Sequence, residues 1–233
     1  MKQLSSFLSQ ISWNRRITFA GVEWQVKSGR GAPGGNNWSD SARCVWVDSE
    51  GLHLKIRRIG SIWCGTEIRT VLPTRHGIHR IYTVGRIDNL DRNVVFSPFL
   101  YANDKREIDM EFSRWGLSSN LNGQNVLQPT PFVQDDNIDR FTFAQNGTHS
   151  THYINWEPSL VTFKSIHGHY PEPPEANYLI REFSYAGGRN PSESEELHMH
   201  INLWLVNGQP PSDNQEVEII ITSADLPSFK KLQ

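Results

Sequence analysis

The feature that most constrains this chain is its texture of short β-forming runs, each closed within a few residues by turn formers. Val45-Trp46-Val47 precedes the turn Asp48-Ser49-Glu50-Gly51, and residues 52–56 then alternate apolar and polar with period two. Further runs follow at residues 62–71, 78–87, 94–101, 107–115, 140–143, 152–156, 160–166, 198–205 and 216–222. No stretch keeps a helical period for more than about two turns. Strands at this spacing predict an all-β antiparallel sandwich or barrel. Neither an internal repeat nor a linker-like break occurs, so residues 1–233 read as a single domain. Residues 29–40, with four Gly and one Pro, and residues 168–194, rich in Pro, Glu and Gly, read as long surface loops. Loops of that length often border a binding site.

Composition narrows the partners. The net charge is −2, so the basic excess that a nucleic-acid backbone requires is missing. No apolar run reaches about 18 residues, so no membrane-spanning helix is expected. Met1 to Leu8 lacks the continuous apolar core of a signal peptide. Cys44 and Cys64 permit one disulfide without requiring it. Eight Trp and eleven Phe in a polar chain supply much ring surface. Most of it must pack a core. Any remainder suits sugar rings, which present apolar faces and hydroxyl edges.

One run carries chemistry. In Glu107-Ile108-Asp109-Met110-Glu111 the acids recur every second residue. In a strand all three point to one face, while Ile108, Met110 and Phe112 point to the other. Three adjacent carboxylates repel, so at least one should hold its proton above the usual range. A sugar-cleaving site needs that division, one ionised carboxylate and one protonated. In a flat strand the Cα atoms of Glu107 and Glu111 would stand ~13 Å apart. A retaining glycosidase needs carboxyl groups ~5–5.5 Å apart. The catalytic reading therefore requires a curved sheet with this strand on its hollow face; a solvated acidic face is the alternative. Continued periodicity would place Trp115 beside the acids.

The sequence Glu107-Ile108-Asp109-Met110-Glu111-Phe112 resembles the signature of glycoside hydrolase family 16 in its lichenase-type form. Cys64-Gly65-Thr66-Glu67-Ile68-Arg69 is similar to the segment in which that family turns a Glu and an Arg toward the sugar. Phe99-Leu100-Tyr101, Trp156-Glu157-Pro158 and Ile201-Asn202-Leu203-Trp204 resemble an aromatic strand, a turn and a late cleft-lining strand, in the family's order. Asn36-Asn37-Trp38 resembles an early substrate-side loop. The likeness spans roughly residues 19–222. The chain departs from the family in having His76-Gly77 for Tyr-Gly, and Ser150 and His152 where a His and a Tyr are usual.

The resemblance implies a concanavalin-like jelly roll with a concave substrate cleft. It also implies a retaining endo-acting hydrolase of β-glycosidic bonds in a polysaccharide, with β-1,3- and β-1,4-glucans the leading class. Glu107 would be the nucleophile, Glu111 the acid/base and Asp109 the residue tuning both. Asn37, Glu67, Arg69, Tyr101, Trp115, Asn202 and Trp204 would meet the substrate. Each keeps a structural alternative: an ion pair for Glu67 and Arg69, core packing for Trp204, a turn for Asn37. A monomer without cofactor or metal is expected; His198 and His200 are strand-spaced, but nothing completes a zinc site. A structural calcium occurs in relatives, and no ligand signature for it is present here. Extracellular placement is what the resemblance implies. The competing functions are a non-catalytic carbohydrate-binding protein and a transglycosylase.

Overall fold

Alternating burial organises the chain into strands. A computed structural model describes residues 10–127, 134 and 136–227; Met1 to Leu8, read above for a signal peptide, lie outside them. In chain order the strands are β1 (Ser12–Phe19), β2 (Val22–Gly31), β3 (Asn36–Trp38), β4 (Val45–Val47), β5 (Leu52–Ile59), β6 (Ile62–Cys64), β7 (Thr66–Thr70) and β8 (Gly77–Val84). They continue with β9 (Val94–Asn103), β10 (Arg106–Phe112), β11 (Gly123–Leu127), β12 (Ile138–Phe141), β13 (His149–Trp156) and β14 (Val161–His167). The last are β15 (Leu179–Tyr185), β16 (His198–Leu205) and β17 (Val217–Asp225). Among the described residues, helix occurs only as three-residue 3-10 turns.

The strands form two antiparallel sheets. One runs β1-β2-β7-β16-β9-β10-β11-β12, with β3 beside β2; the other runs β15-β14-β13-β8-β17-β5-β4, with β6 beside β5. The core lies between them and includes Trp24, Leu54, Ile68, Phe96, Leu100, Phe112, Trp156, Phe163 and Ile201. Ile108, Met110 and Phe112 of β10 belong to it, as their period predicts. The acids of β10 therefore stand on the outer face of the first sheet, and that sheet is a cleft floor as well as a core wall. The fold is the expected β-sandwich.

Several boundaries differ from the sequence reading, and four of the differences bear on how the chain is arranged. Residues 62–71 are two strands, because the chain changes sheets at Gly65: β6 pairs with β5, whereas β7 pairs with β2 and β16. A Cβ at Gly65 would lie 3.1 Å from the Leu203 carbonyl oxygen, so the crossing needs a residue without one. The 78–87 run stops at Val84, and residues 87–89 form a 3-10 turn. Residues 168–194 contain edge strand β15, whose charged, exposed pattern carries no apolar alternation. Residues 29–40 are largely the β2–β3 hairpin. Both cysteines are buried free thiols, so no disulfide joins them.

Behind the cleft, the turn into β5 depends on Gly51. Its φ is +140°, and a Cβ there would lie 2.3 Å from the Ile221 carbonyl oxygen. Gly51→Ala is expected to cost about 2–3 kcal/mol through strain and overpacking. A lower urea midpoint at unchanged m-value would show it.

Candidate active site

Strand register assembles the site. Asp109 pairs with Phe99, Phe99 with His200, His200 with Arg69, and Arg69 with Gln25, so one row of side chains crosses five strands. Parallel rows join Glu107, Tyr101 and His198, and Ser97, Asn202 and Glu67. On the other side Glu111 pairs with Gln124 and Gln124 with Arg140. These rows line a cleft of about 530 Å³ that takes in Glu107, Asp109, Glu111, Glu67, Arg69, Tyr101, Asn202 and Trp204. Eight of the ten residues expected from the sequence line this cleft, and Asn37 and Trp115 do not.

 Glu67, one of the eight, is held by protein groups on both of its oxygens.

The three acids differ in what surrounds them. Asp109 is buried and accepts a 2.5 Å hydrogen bond from Ser97 Oγ. Burial first, then the charges of Glu111 and Glu107, raise its pKa well above the carboxylate range. Glu107 accepts no hydrogen bond among the described residues. Burial pushes it up to about 8, with Glu111, Asp104 and Glu67 adding repulsion. Glu111 is also raised by burial, but Oε2 accepts from Trp115 Nε1 at 3.0 Å and Gln124 Nε2 at 3.1 Å, and Arg140 lies nearby. Arg140 donates to Gln124 Oε1 at 2.9 Å, which turns the Gln124 amide N–H toward Glu111. The sequence predicts at least one raised carboxyl, and all three are raised.

Trp115 reaches Glu111 by a route other than the expected one. The strand ends at Phe112, and Trp115 sits at φ +47° in the turn beyond it. Ser113 Oγ fixes that turn, accepting from Trp115 N at 2.8 Å and donating to the Val94 carbonyl at 2.9 Å. A non-glycine residue in this region is strained, and here the strain aims the indole N–H at a carboxylate. Asn37 does not line the cleft: its amide faces the Trp63 carbonyl at 3.5 Å. The hairpin contributes Ala32 and Pro33 instead.

Glu67 and Arg69 both have partners within the protein. Glu67 is 3% exposed; Oε2 accepts from Lys27 Nζ at 2.7 Å, and Oε1 lies 2.9 Å from His200 Nδ1. Burial alone would raise its pKa, but the His200 hydrogen bond and the Lys27 charge outweigh it and hold the carboxyl below its usual range. Arg69 donates to Gln25 Oε1 at 3.0 Å and lies 4.3 Å from the Trp13 ring centroid. Tyr101 donates to Asp104 Oδ1 at 2.7 Å. Asn202 is 3% exposed, and its Oδ1 has no hydrogen-bond partner.

The sequence reading missed Trp13, Lys27, Phe99, Gln124, Arg140, His198 and His200 as parts of the site. His198 and His200 share the phase of Asn202 and Trp204, so period two was a usable signal for them. Trp13 and Lys27 lie on strands distant in sequence and reach the cleft only through pairing. On the opposite sheet, Asp48, Glu50 and His53 bring possible ligand atoms within 4.8 Å of one another. His53 is already bonded to Asp48 at 3.0 Å and to Glu218 at 2.7 Å.

The sequence matches no protein-family model and no curated protein. Solved structures do resemble it. A β-glucanase from Bacillus licheniformis, 16% identical, aligns over 93% of this chain and 95% of its own with a TM-score of 0.66. A glycoside hydrolase family 16 endo-glucanase from Bacteroides ovatus, 16% identical, aligns over 87% and 94% with a TM-score of 0.59. The Crh5 transglycosylase, 14% identical, aligns over 91% and 87% with a TM-score of 0.55. The chain therefore has a jelly-roll fold like that of the family 16 β-glucanases.

Proposed function

We propose that this protein is a retaining glycoside hydrolase acting within a β-glucan, with Glu107 as nucleophile and Glu111 as acid/base. The observation that carries the reading is the row of three carboxyls on a cleft floor, each with its proton affinity raised by burial. Burying three acids side by side is costly, and a binding surface has no use for it. Repulsion favours one negative charge and two protons across the row. In the reactive arrangement Glu107 carries the charge, while Asp109 and Glu111 hold the protons.

The chemistry then balances. Glu107 attacks the anomeric carbon as the glycosidic C–O bond breaks, and Glu111 gives its proton to the leaving oxygen. A water molecule then attacks the same carbon. Glu111 takes the water's proton, the bond to Glu107 breaks, and the configuration is retained. The unpartnered Asn202 Oδ1 supports sugar binding, since a hydroxyl would satisfy an acceptor that is costly to leave bare.

The test is reducing-sugar release over laminarin, lichenan, xyloglucan, agarose and carrageenan, with NMR of the first-formed anomer. Release from a β-glucan with retention is expected; inversion would overturn the mechanism. Saturable binding without release would point to a binding protein, and transfer to an added oligosaccharide to a transglycosylase. Trp115→Phe removes a donor that stabilises ionised Glu111, so its pKa should rise further. The alkaline limb of the pH–rate profile is expected to move upward, with a fall in kcat of about 3- to 10-fold.

A further inference from the structure

Glu67 occupies the place where the sequence led us to expect a sugar-facing carboxylate, yet Lys27 and His200 take both of its oxygens. All three residues line the cleft, and His200 is the one that keeps an unpartnered ring nitrogen there. It lies one strand beyond Phe99 in the row that contains Asp109, with the Phe99 ring 4.8 Å and the Trp13 ring 5.8 Å away, centroid to centroid. An ionised Glu67 can only accept, so the proton of a neutral His200 sits on Nδ1. Nε2 is then a bare lone pair, and it has no hydrogen-bond partner among the described residues. Burial keeps the ring neutral by lowering its pKa, against the opposing pull of Glu67.

We propose that His200 is the hydroxyl-accepting residue of a sugar subsite beside the carboxylate row, with Glu67 as the positioning residue that fixes its tautomer. This rests on the glycosidase reading of the cleft and names a substrate requirement within it. Lys27 anchors the arrangement: besides Glu67 it donates to the Ala32 carbonyl at 2.9 Å, and its ammonium lies 4.1 Å from the Trp38 ring centroid. The trio thus ties β2, β7 and β16 to the hairpin that supplies Pro33 to the cleft. An imidazole nitrogen of this kind cannot donate. It therefore selects a sugar whose facing hydroxyl is free, and a unit bearing an O-methyl or O-sulfate group at that position would leave the acceptor unpaired. The expected substrate is a neutral glucan unsubstituted at that hydroxyl.

The test combines ¹⁵N NMR with kinetics. At neutral pH the His200 ring should carry its proton on Nδ1. Laminari- and mixed-linkage tetrasaccharides titrated into a Glu107→Gln variant should shift the Nε2 resonance. His200→Phe should raise KM about tenfold at nearly unchanged kcat, and His200→Gln, which keeps an acceptor, should recover most of the loss. A proton on Nε2, or an Nε2 resonance unmoved at saturating oligosaccharide, overturns the proposal; both are read without His200 substitution, so misfolding of a variant does not intrude. Nε2 shifting in a protein that releases no sugar would sustain the subsite and remove the hydrolytic reading. Sugar release with an unmoved Nε2 would do the reverse.

Discussion

Glu107→Ala and Glu111→Ala are each expected to abolish turnover of a β-glucan, yet to respond oppositely to a small external nucleophile. Loss of the nucleophile should lower kcat on the order of 10³-fold or more, and loss of the acid/base about 10²–10⁴-fold. Azide and an aryl glycoside with a good leaving group distinguish the two roles. In Glu111→Ala the glycosyl-enzyme still forms on Glu107, and azide attacks it to give a product of retained configuration. In Glu107→Ala azide occupies the vacated space and attacks the substrate directly, so configuration inverts. The contrast matters because hydrogen bonding by itself favours a charge on Glu111, which accepts from Trp115 and Gln124, over one on Glu107. If Glu107→Ala gave the retained product and Glu111→Ala the inverted one, the roles would be exchanged. Full hydrolysis in either variant would end the glycosidase reading.

Those donors have a place in the proposed cycle. Glu111 must be neutral when it protonates the leaving oxygen and anionic when it receives the proton of water. Burial serves the first state, and the indole and amide donors serve the second. A carboxyl held between two opposing influences can change state at modest cost in either direction. Among the described residues Glu107 has no such donor, so its negative charge finds its best partner in the positive charge that develops at the anomeric carbon.

How much of this was legible in the sequence follows from where each signal resides. Period two within one strand placed Glu107, Asp109 and Glu111 on one face and Ile108, Met110 and Phe112 in the core, because a strand allows no other arrangement. The edge strands β1 and β15 were missed because their exposed sides carry charge rather than apolar alternation. The pairing of Lys27 with Glu67 spans 40 residues and depends on β2 lying beside β7, a neighbour relation that no local pattern encodes. Glu67 therefore reads as a substrate ligand in the sequence, and only the fold reveals Lys27 and His200 on its two oxygens. Trp115 was assigned to the cleft on the assumption of a continuing strand. It reaches Glu111 instead through a left-handed turn held by the Ser113 hydrogen bonds.

Glu107→Gln is expected to make the protein more stable in alkali while removing its proposed activity. In the unfolded chain a glutamate titrates near 4.5, whereas the folded protein keeps the Glu107 proton up to about 8. Between those pH values the native state binds more protons than the unfolded state, so stability falls as pH rises through the window. The contribution is fully present below 4.5 and is lost above about 8. Asp109 and Glu111, also raised, act in the same sense. Glu67, whose pKa is lowered, acts in the opposite sense and gives up its contribution as pH falls. An uncharged amide at position 107 has no proton to lose. The variant should match the wild type near pH 4 and exceed it near pH 9 by up to a few kcal/mol, less where cleft water screens the charge. For a chain of this size that is a Tm difference of roughly 5–10 °C, read by thermal unfolding at several pH values. A difference that does not grow with pH would mean that Glu107 is ionised in the resting cleft. The row would then hold its single charge on Glu107 without help from substrate.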